Sequence, residues 1–128
     1  MKDMKTVLGY VFLVVLAGVF IMTGYTKVTG AEMMIDTFES FSYPTWTMYL
    51  IGVLELLSAV GLLIPRTRIL ASGILTFILI GAVGSHLIYA QYAAIPLPAV
   101  LLVANIVVLL VSLHRLEEEE SNMDMVQA

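Results

Sequence analysis

Three ionisable residues lie within or at the edges of long apolar stretches: Lys27, Glu55 and His86. Glu55 stands at the centre of the apolar run 46–64, which has about the 20 residues that a helix needs to cross a bilayer. A carboxylate at that depth is costly, so it usually has a partner and faces a protein interior or a wet cavity. Because a Glu–His pair has chemistry suited to proton transfer, these residues define a candidate intramembrane polar pocket.

Further polar side chains could support the same pocket: Tyr25, Ser58, Ser85 and Asn105. Ser58 follows Glu55 by three residues, so the two lie on one face of a helix. Such a pocket could bind a small polar head or pass a proton. In the alternative interpretation the role is structural, and Glu55 holds two helices in register with His86 as its hydrogen-bond partner. The residue pattern leaves both interpretations open.

The chain shows no ligand set for a metal or a haem. It contains no cysteine, which excludes thiolate catalysis, disulfide exchange and cysteine-bound iron–sulfur or zinc sites by this chain alone. The predicted topology puts its two histidines, His86 and His114, near opposite sides of the membrane, so a haem bound by both would have to span the membrane. No cofactor site is evident in the chain, although a quinone could occupy the polar pocket.

The composition is that of an integral membrane protein. The 128 residues are 60% hydrophobic and 12% charged, with a mean hydropathy of +0.99, whereas soluble domains carry about 25% charged residues. Four apolar runs can each span a bilayer: residues 7–25, 46–64, 69–89 and 94–113. We therefore predict an all-α fold, an up-down bundle of four transmembrane helices forming a single domain over residues 1–116. An acidic polar tail, 117–128, follows and is expected to be disordered at its end.

The segment 29–43, between the first two runs, predicts a short amphipathic helix lying at the outer membrane interface. Thr29 and Glu32 have the spacing of a capping box, which would start this helix. Small residues cluster on the second and third runs, where Gly81 and Ser85 have small-xxx-small spacing. These two spans are therefore predicted to be the closely packed pair.

Positive charge is distributed asymmetrically about the four predicted spans. One side holds most of the basic residues: Lys2, Lys5, Arg66, Arg68 and Arg115. The other side holds only Lys27. The positive-inside rule then places both termini in the cytoplasm. Apart from the tail there is no acidic or basic field that would attract nucleic acid, so the expected surroundings are the lipid bilayer and other membrane subunits or copies of the same chain.

Five segments, in order, resemble the DoxX-like family of membrane proteins: GYTKVTG (24–30), YPTW (43–46), IGVLEL (51–56), GLLIPR (61–66) and GAVGSHL (81–87). The resemblance covers roughly residues 8–113. It implies a multi-pass protein of the bacterial cytoplasmic (inner) membrane. It also implies a link to redox processes, since one member is a subunit of a thiosulfate:quinone oxidoreductase. The family pattern carries over Lys27, Glu55 and His86, but no mechanism.

Two functions follow from the residues and the resemblance together. In the first, a redox-associated protein uses the pocket of Lys27, Glu55 and His86 to bind a quinone-like or other small amphipathic molecule and to handle its proton. In the second, the chain is a non-catalytic accessory subunit of a larger membrane complex. A small transporter is disfavoured, because no pair of broken helices is evident. Whether the chain is an enzyme stays open.

Overall fold

The computed structural model describes the backbone of residues 2–127 and the side chains of residues 3–127. This part of the chain is almost entirely helical and contains no strand. The helices are α1 Lys2–Val28, α2 Glu32–Ser40, α3 Thr45–Leu63, α4 Arg68–Ile88 and α5 Pro96–Gln127, with a short 3₁₀ turn at Tyr92–Ala94. The prediction of an all-α fold is confirmed.

Four of these helices, α1, α3, α4 and α5, are long and apolar enough to cross a membrane. They lie close to the predicted spans, although α1 begins earlier and α5 ends later. The end of the bundle that carries Lys5, Arg66, Arg68 and Arg115 is called the basic end below. The opposite end, where α2 lies, is called the α2 end. The short helix α2 lies within the segment predicted to be helical.

Spanning helices that are consecutive in the chain pack against each other, α1 on α3, α3 on α4 and α4 on α5. Together they enclose one apolar cluster. All four spans contribute to this cluster, with Phe20, Leu62, Leu75 and Leu101 among its members. Only 17–33% of the residues in each spanning window are buried inside the protein. A helix that is apolar on all sides but is mostly not covered by the rest of the protein is typical of a membrane environment. Most of the helical surface is therefore available to lipid or to other membrane proteins.

Glycines bring α1 and α3 together, which corrects the prediction about the closely packed pair. A Cβ at Gly24 would lie 2.9 Å from the Gly52 carbonyl oxygen, and a Cβ at Gly52 would lie 2.8 Å from the Lys27 Cβ. Gly61 does approach α4, since its Cβ would lie 2.9 Å from the Ala71 Cβ. By contrast, Gly81 has open space around it, so its small-xxx-small spacing does not mark a close helix contact.

Two local predictions were wrong. No side chain caps α2, whose N-cap is Ala31, because the Thr29 hydroxyl instead donates to the Tyr25 carbonyl at 2.8 Å. The end of the acidic tail is not irregular either, since α5 continues through it as an exposed helix to Gln127. Glutamate is a good helix former, and a contact of 3.1 Å between His114 Nε2 and Glu118 Oε1, one turn apart, adds local support.

Candidate functional site

The buried charge of α3 is paired with α1. The Lys27 Nζ lies 2.9 Å from Oε1 of Glu55, and the two side chains are only 13% and 5% exposed. The Thr23 hydroxyl donates to Oε2 of the same carboxylate. Thr23 and Lys27 are four residues apart on α1, so both donors project from one helix face. The close approach at Gly24 and Gly52 brings that face against Glu55.

Each oxygen of Glu55 thus has its own donor from α1. The hydroxyl of Thr23 also lies 3.2 Å from the Phe20 carbonyl, but its contact with Glu55 is the shorter of the two. The carboxylate is the stronger acceptor because it is charged, so the hydroxyl hydrogen is directed mainly at Glu55. A buried charge needs this kind of complete partnering, because one left alone in a low-dielectric interior is severely destabilised.

His86 lies in a different cluster, at the α2 end. Its Nδ1 is 3.3 Å from Oε1 of Gln91, and its ring packs edge-on against Phe41 with the ring centres 5.2 Å apart. Gln91 in turn donates from Nε2 to the Ser40 hydroxyl at 2.9 Å. Among the side chains of residues 3–127, no hydrogen bond or ion pair joins His86 to Glu55. The structure therefore brings Lys27 and Glu55 together and leaves His86 outside the pair.

The predicted supporting residues are distributed over several clusters. Ser85 is buried and its hydroxyl lies 2.7 Å from that of Tyr43, which ties α4 to the segment after α2. Ser58 is buried within α3. Tyr25 is 62% exposed, on the outside of α1 near Lys27.

Asn105 anchors a third polar cluster, between α4 and α5. Its Nδ2 donates to the Ser72 carbonyl at 2.7 Å and to the Thr76 hydroxyl at 2.9 Å. Its Oδ1 is buried and has no hydrogen-bond partner among the described residues. The carbonyl of Ser72 requires a donor from the amide, which fixes the orientation of the Asn105 side chain.

Sequence reasoning missed the partners in each of these clusters, and the partners of His86 and Ser85 gave no signal in the sequence. Thr23 could have been found, because it precedes Lys27 by one helical turn within an apolar run. Ser72 and Thr76 also stand one turn apart in an apolar helix, a spacing that places them on one face. In each case a hydroxyl or carbonyl near the middle of the bundle accompanies a more conspicuous polar residue on a neighbouring helix.

Neither cavity described in the structure is lined by Lys27, Glu55 or His86. An open cleft of about 510 Å³ lies between α2 and Gln91. A groove of about 340 Å³ lies between α1 and α5 at the basic end. Within the described part of the chain, no group of three or more histidine or acidic residues could hold a metal ion.

Comparison with known proteins places the chain in a family. No curated protein and no solved structure matches it. A family model described as the DoxX-like family matches residues 11–108, a range that includes Lys27, Glu55, His86 and Asn105. Since this match extends over most of the four-span bundle, the chain belongs to the DoxX-like family of membrane proteins.

Proposed function

We propose that the protein is a non-catalytic subunit of a larger, redox-associated assembly in a bacterial cytoplasmic membrane, with both termini in the cytoplasm. The observation that carries this proposal is that donors from α1 already bind both carboxylate oxygens of Glu55. A carboxylate that acts on a substrate needs a free oxygen and a path to it. The pair is suited instead to holding α1 against α3.

The outer surface supports the same proposal. Large apolar side chains are exposed along every span, among them Val15, Leu57, Phe77 and Val103. In a bilayer these faces can meet lipid or the spans of another protein equally well, because lipid tails are as apolar as the side chains. The redox association itself rests on family membership alone.

The test is the mass of the intact assembly after extraction at native abundance in a mild detergent. We expect a complex much larger than the 14.0 kDa chain, with defined neighbouring subunits whose own cofactors account for any redox activity. A monomer or homo-oligomer that carries a stoichiometric small molecule would overturn the proposal and make the polar residues a ligand site.

A second candidate function, a site for a quinone-like amphipathic molecule at Lys27, Glu55 and His86, is favoured by one observation. Lys27 keeps 13% of its side chain exposed, so a molecule in the bilayer could approach the ion pair from the side. An ionisable residue inside a membrane is by default a candidate for function. In this candidate, the headgroup of the ligand would open the pair and exchange a proton with Glu55.

The substitution Glu55→Gln separates the two candidates when turnover is compared in the intact complex, because it also removes the charge that pairs with Lys27. The amide keeps the size of the side chain and an oxygen that can accept from Thr23, but it cannot take up a proton. If the site handles protons, turnover of the associated redox activity should fall by roughly 100-fold or more, whereas Glu39→Gln, on the exposed face of α2, should leave it unchanged. Full turnover in the Glu55→Gln protein, with the complex intact, would exclude this second candidate.

A further inference from the structure

The groove at the basic end combines two arginines with a long apolar wall. It has a volume of about 340 Å³ and is formed by the first turns of α1, the start of α4 and the part of α5 around Val111. This is within the range of small-molecule pockets, roughly 300–1,000 Å³. None of its lining residues belongs to the polar clusters of Glu55, His86 or Asn105, so those clusters do not explain the groove.

Arg68 stands at the floor of this groove and is only partly satisfied. Its Nε donates to the Leu62 carbonyl at 2.7 Å, which holds the guanidinium in place at the end of α3. Its Nη2 is buried and has no hydrogen-bond partner among the described residues. Because Arg68 is also the first residue of α4, its charge adds to the positive end of that helix dipole. An anion here would meet both the guanidinium and the dipole.

Arg115 supplies a second positive charge at the same groove. Among residues 3–127, the contacts between basic and acidic side chains are those of Lys27 with Glu55 and of His114 with Glu118, so no carboxylate there pairs with Arg115. Two guanidinium groups without carboxylates therefore face one site. A phosphate is the group whose geometry and charge best match such a pair.

The remaining wall is mostly apolar, with hydroxyl groups only at Thr6, Tyr10 and Ser112. Leu8, Gly9 and Phe12 line it from α1, and Val107 and Val111 from α5. A free phosphate ion would use the arginines and leave this wall empty. A molecule with a phosphate at one end and a hydrocarbon chain at the other would use both.

We propose that this groove is a binding site for an anionic phospholipid, with its phosphate at Arg68 and Arg115 and an acyl chain between α1 and α5. Basic pockets between spans at the headgroup level are suited to this class of ligand. The groove lies at the end of the bundle where the basic residues collect. The inference is independent of the proposed function, because it involves neither Glu55 nor any partner subunit.

Native mass spectrometry of the detergent-solubilised full chain tests the proposal, with phosphatidylglycerol and phosphatidylcholine of the same acyl chains added in equal amounts. We expect one phosphatidylglycerol to be retained roughly five-fold or more in preference to phosphatidylcholine. Equal retention of the two lipids would overturn the proposal. Inorganic phosphate is the third arm: if it displaces phosphatidylglycerol at millimolar concentration, the site recognises the ion and not the lipid.

Matched variants locate the binding. Arg115→Gln should lower the preference for phosphatidylglycerol roughly five-fold, while Arg66→Gln, in the neighbouring loop but outside the groove, should not. Gly9→Leu should also reduce retention, because open space at Gly9 lets the new side chain fill the groove without a clash. Gly18→Leu makes the same change in open space farther along α1 and should have no effect. Unchanged retention in both Arg115→Gln and Gly9→Leu would show that the lipid binds elsewhere.

Discussion

Thr23 and Lys27 lie one helical turn apart on α1, so their donors reach the same carboxylate across the contact with α3. Both oxygens of Glu55 are therefore bound by donors from α1. The same arrangement makes each partner dependent on the other, because removing one would leave an uncompensated charge in a low-dielectric interior. The two residues should therefore behave as a unit when they are substituted.

The first prediction concerns this dependence. Lys27→Met alone should destabilise the fold by about 3 kcal/mol, because it strands the charge of Glu55. The double substitution Lys27→Met with Glu55→Leu replaces both charges by apolar side chains of similar size and should recover most of that loss. The measurement is the free energy of unfolding in a denaturing-detergent titration of all variants.

A double-mutant cycle on these proteins gives the coupling between the two side chains. We expect a coupling free energy of at least about 1 kcal/mol, because the two charged groups are in contact. Additive losses would mean that Lys27 and Glu55 do not interact in the membrane, and the structural role proposed for them would fail.

The second prediction concerns Asn105, whose amide joins α5 to Ser72 and Thr76 on α4. Hydrogen bonds between helices in a membrane contribute about 0.6 kcal/mol each. Because side-chain packing is lost as well, Asn105→Ala should lower the free energy of unfolding by about 1–2 kcal/mol in the same titration. The matched control is Asn122→Ala, at an exposed position on the same helix. It should change the free energy of unfolding by less than about 0.5 kcal/mol. Equal effects at both positions would contradict the role of the buried amide.

At the scale of the elements, the contact between α1 and α3 depends on two glycines that lie beside the ion pair. Gly24 faces the backbone of Gly52, and Gly52 faces the Cβ of Lys27 and a methyl group of Val28. These neighbours are backbone or atoms close to it, so they cannot swing away as the tip of a long side chain could. A methyl group at either glycine would push the helices apart and stretch the pair between Lys27 and Glu55.

The third prediction follows from this crossing. Gly24→Ala and Gly52→Ala should each destabilise the bundle by about 1–3 kcal/mol through overpacking. Gly18→Ala, on α1 but with open space around it, should be neutral or slightly stabilising, because alanine favours a helix over glycine. Stability of Gly52→Ala equal to that of Gly18→Ala would show that α1 and α3 do not cross as closely as described.

The elements were largely predictable from the sequence because an apolar run of spanning length admits few structures other than a helix. The pairing of the helices was less predictable, since it depends on which face each small residue presents. Gly81 and Gly52 are alike in sequence context, yet only Gly52 meets a neighbouring backbone. In the same way, Glu55 required a partner at its depth, but the chain order did not reveal that Lys27, not His86, would supply it.

At the scale of the whole molecule, the two ends of the bundle differ in charge and in chemistry. The basic end carries the groove of Arg68 and Arg115, while the α2 end carries the hydroxyl and amide cluster of Ser40, His86 and Gln91. Between them lie the neutralised pair at Glu55 and the amide of Asn105. Most of the positive charge is thus concentrated at one end of the bundle, which is what the positive-inside rule uses to set orientation. The proposed lipid site and the proposed orientation both depend on Arg68 and Arg115.

The last prediction tests that orientation, and the absence of native cysteine makes the test direct. Single cysteines at Asp36, on α2, and at Glu119, on the exposed extension of α5, should react from opposite sides of the membrane. In intact bacterial cells a membrane-impermeant maleimide should label Asp36→Cys and leave Glu119→Cys unlabelled until the cells are broken. Reversing the charge bias with Arg66→Glu and Arg68→Glu should produce a fraction of chains with the opposite labelling, because the basic residues retain that end on the cytoplasmic side. Labelling of Glu119→Cys in intact cells would place the termini outside and contradict the proposed orientation.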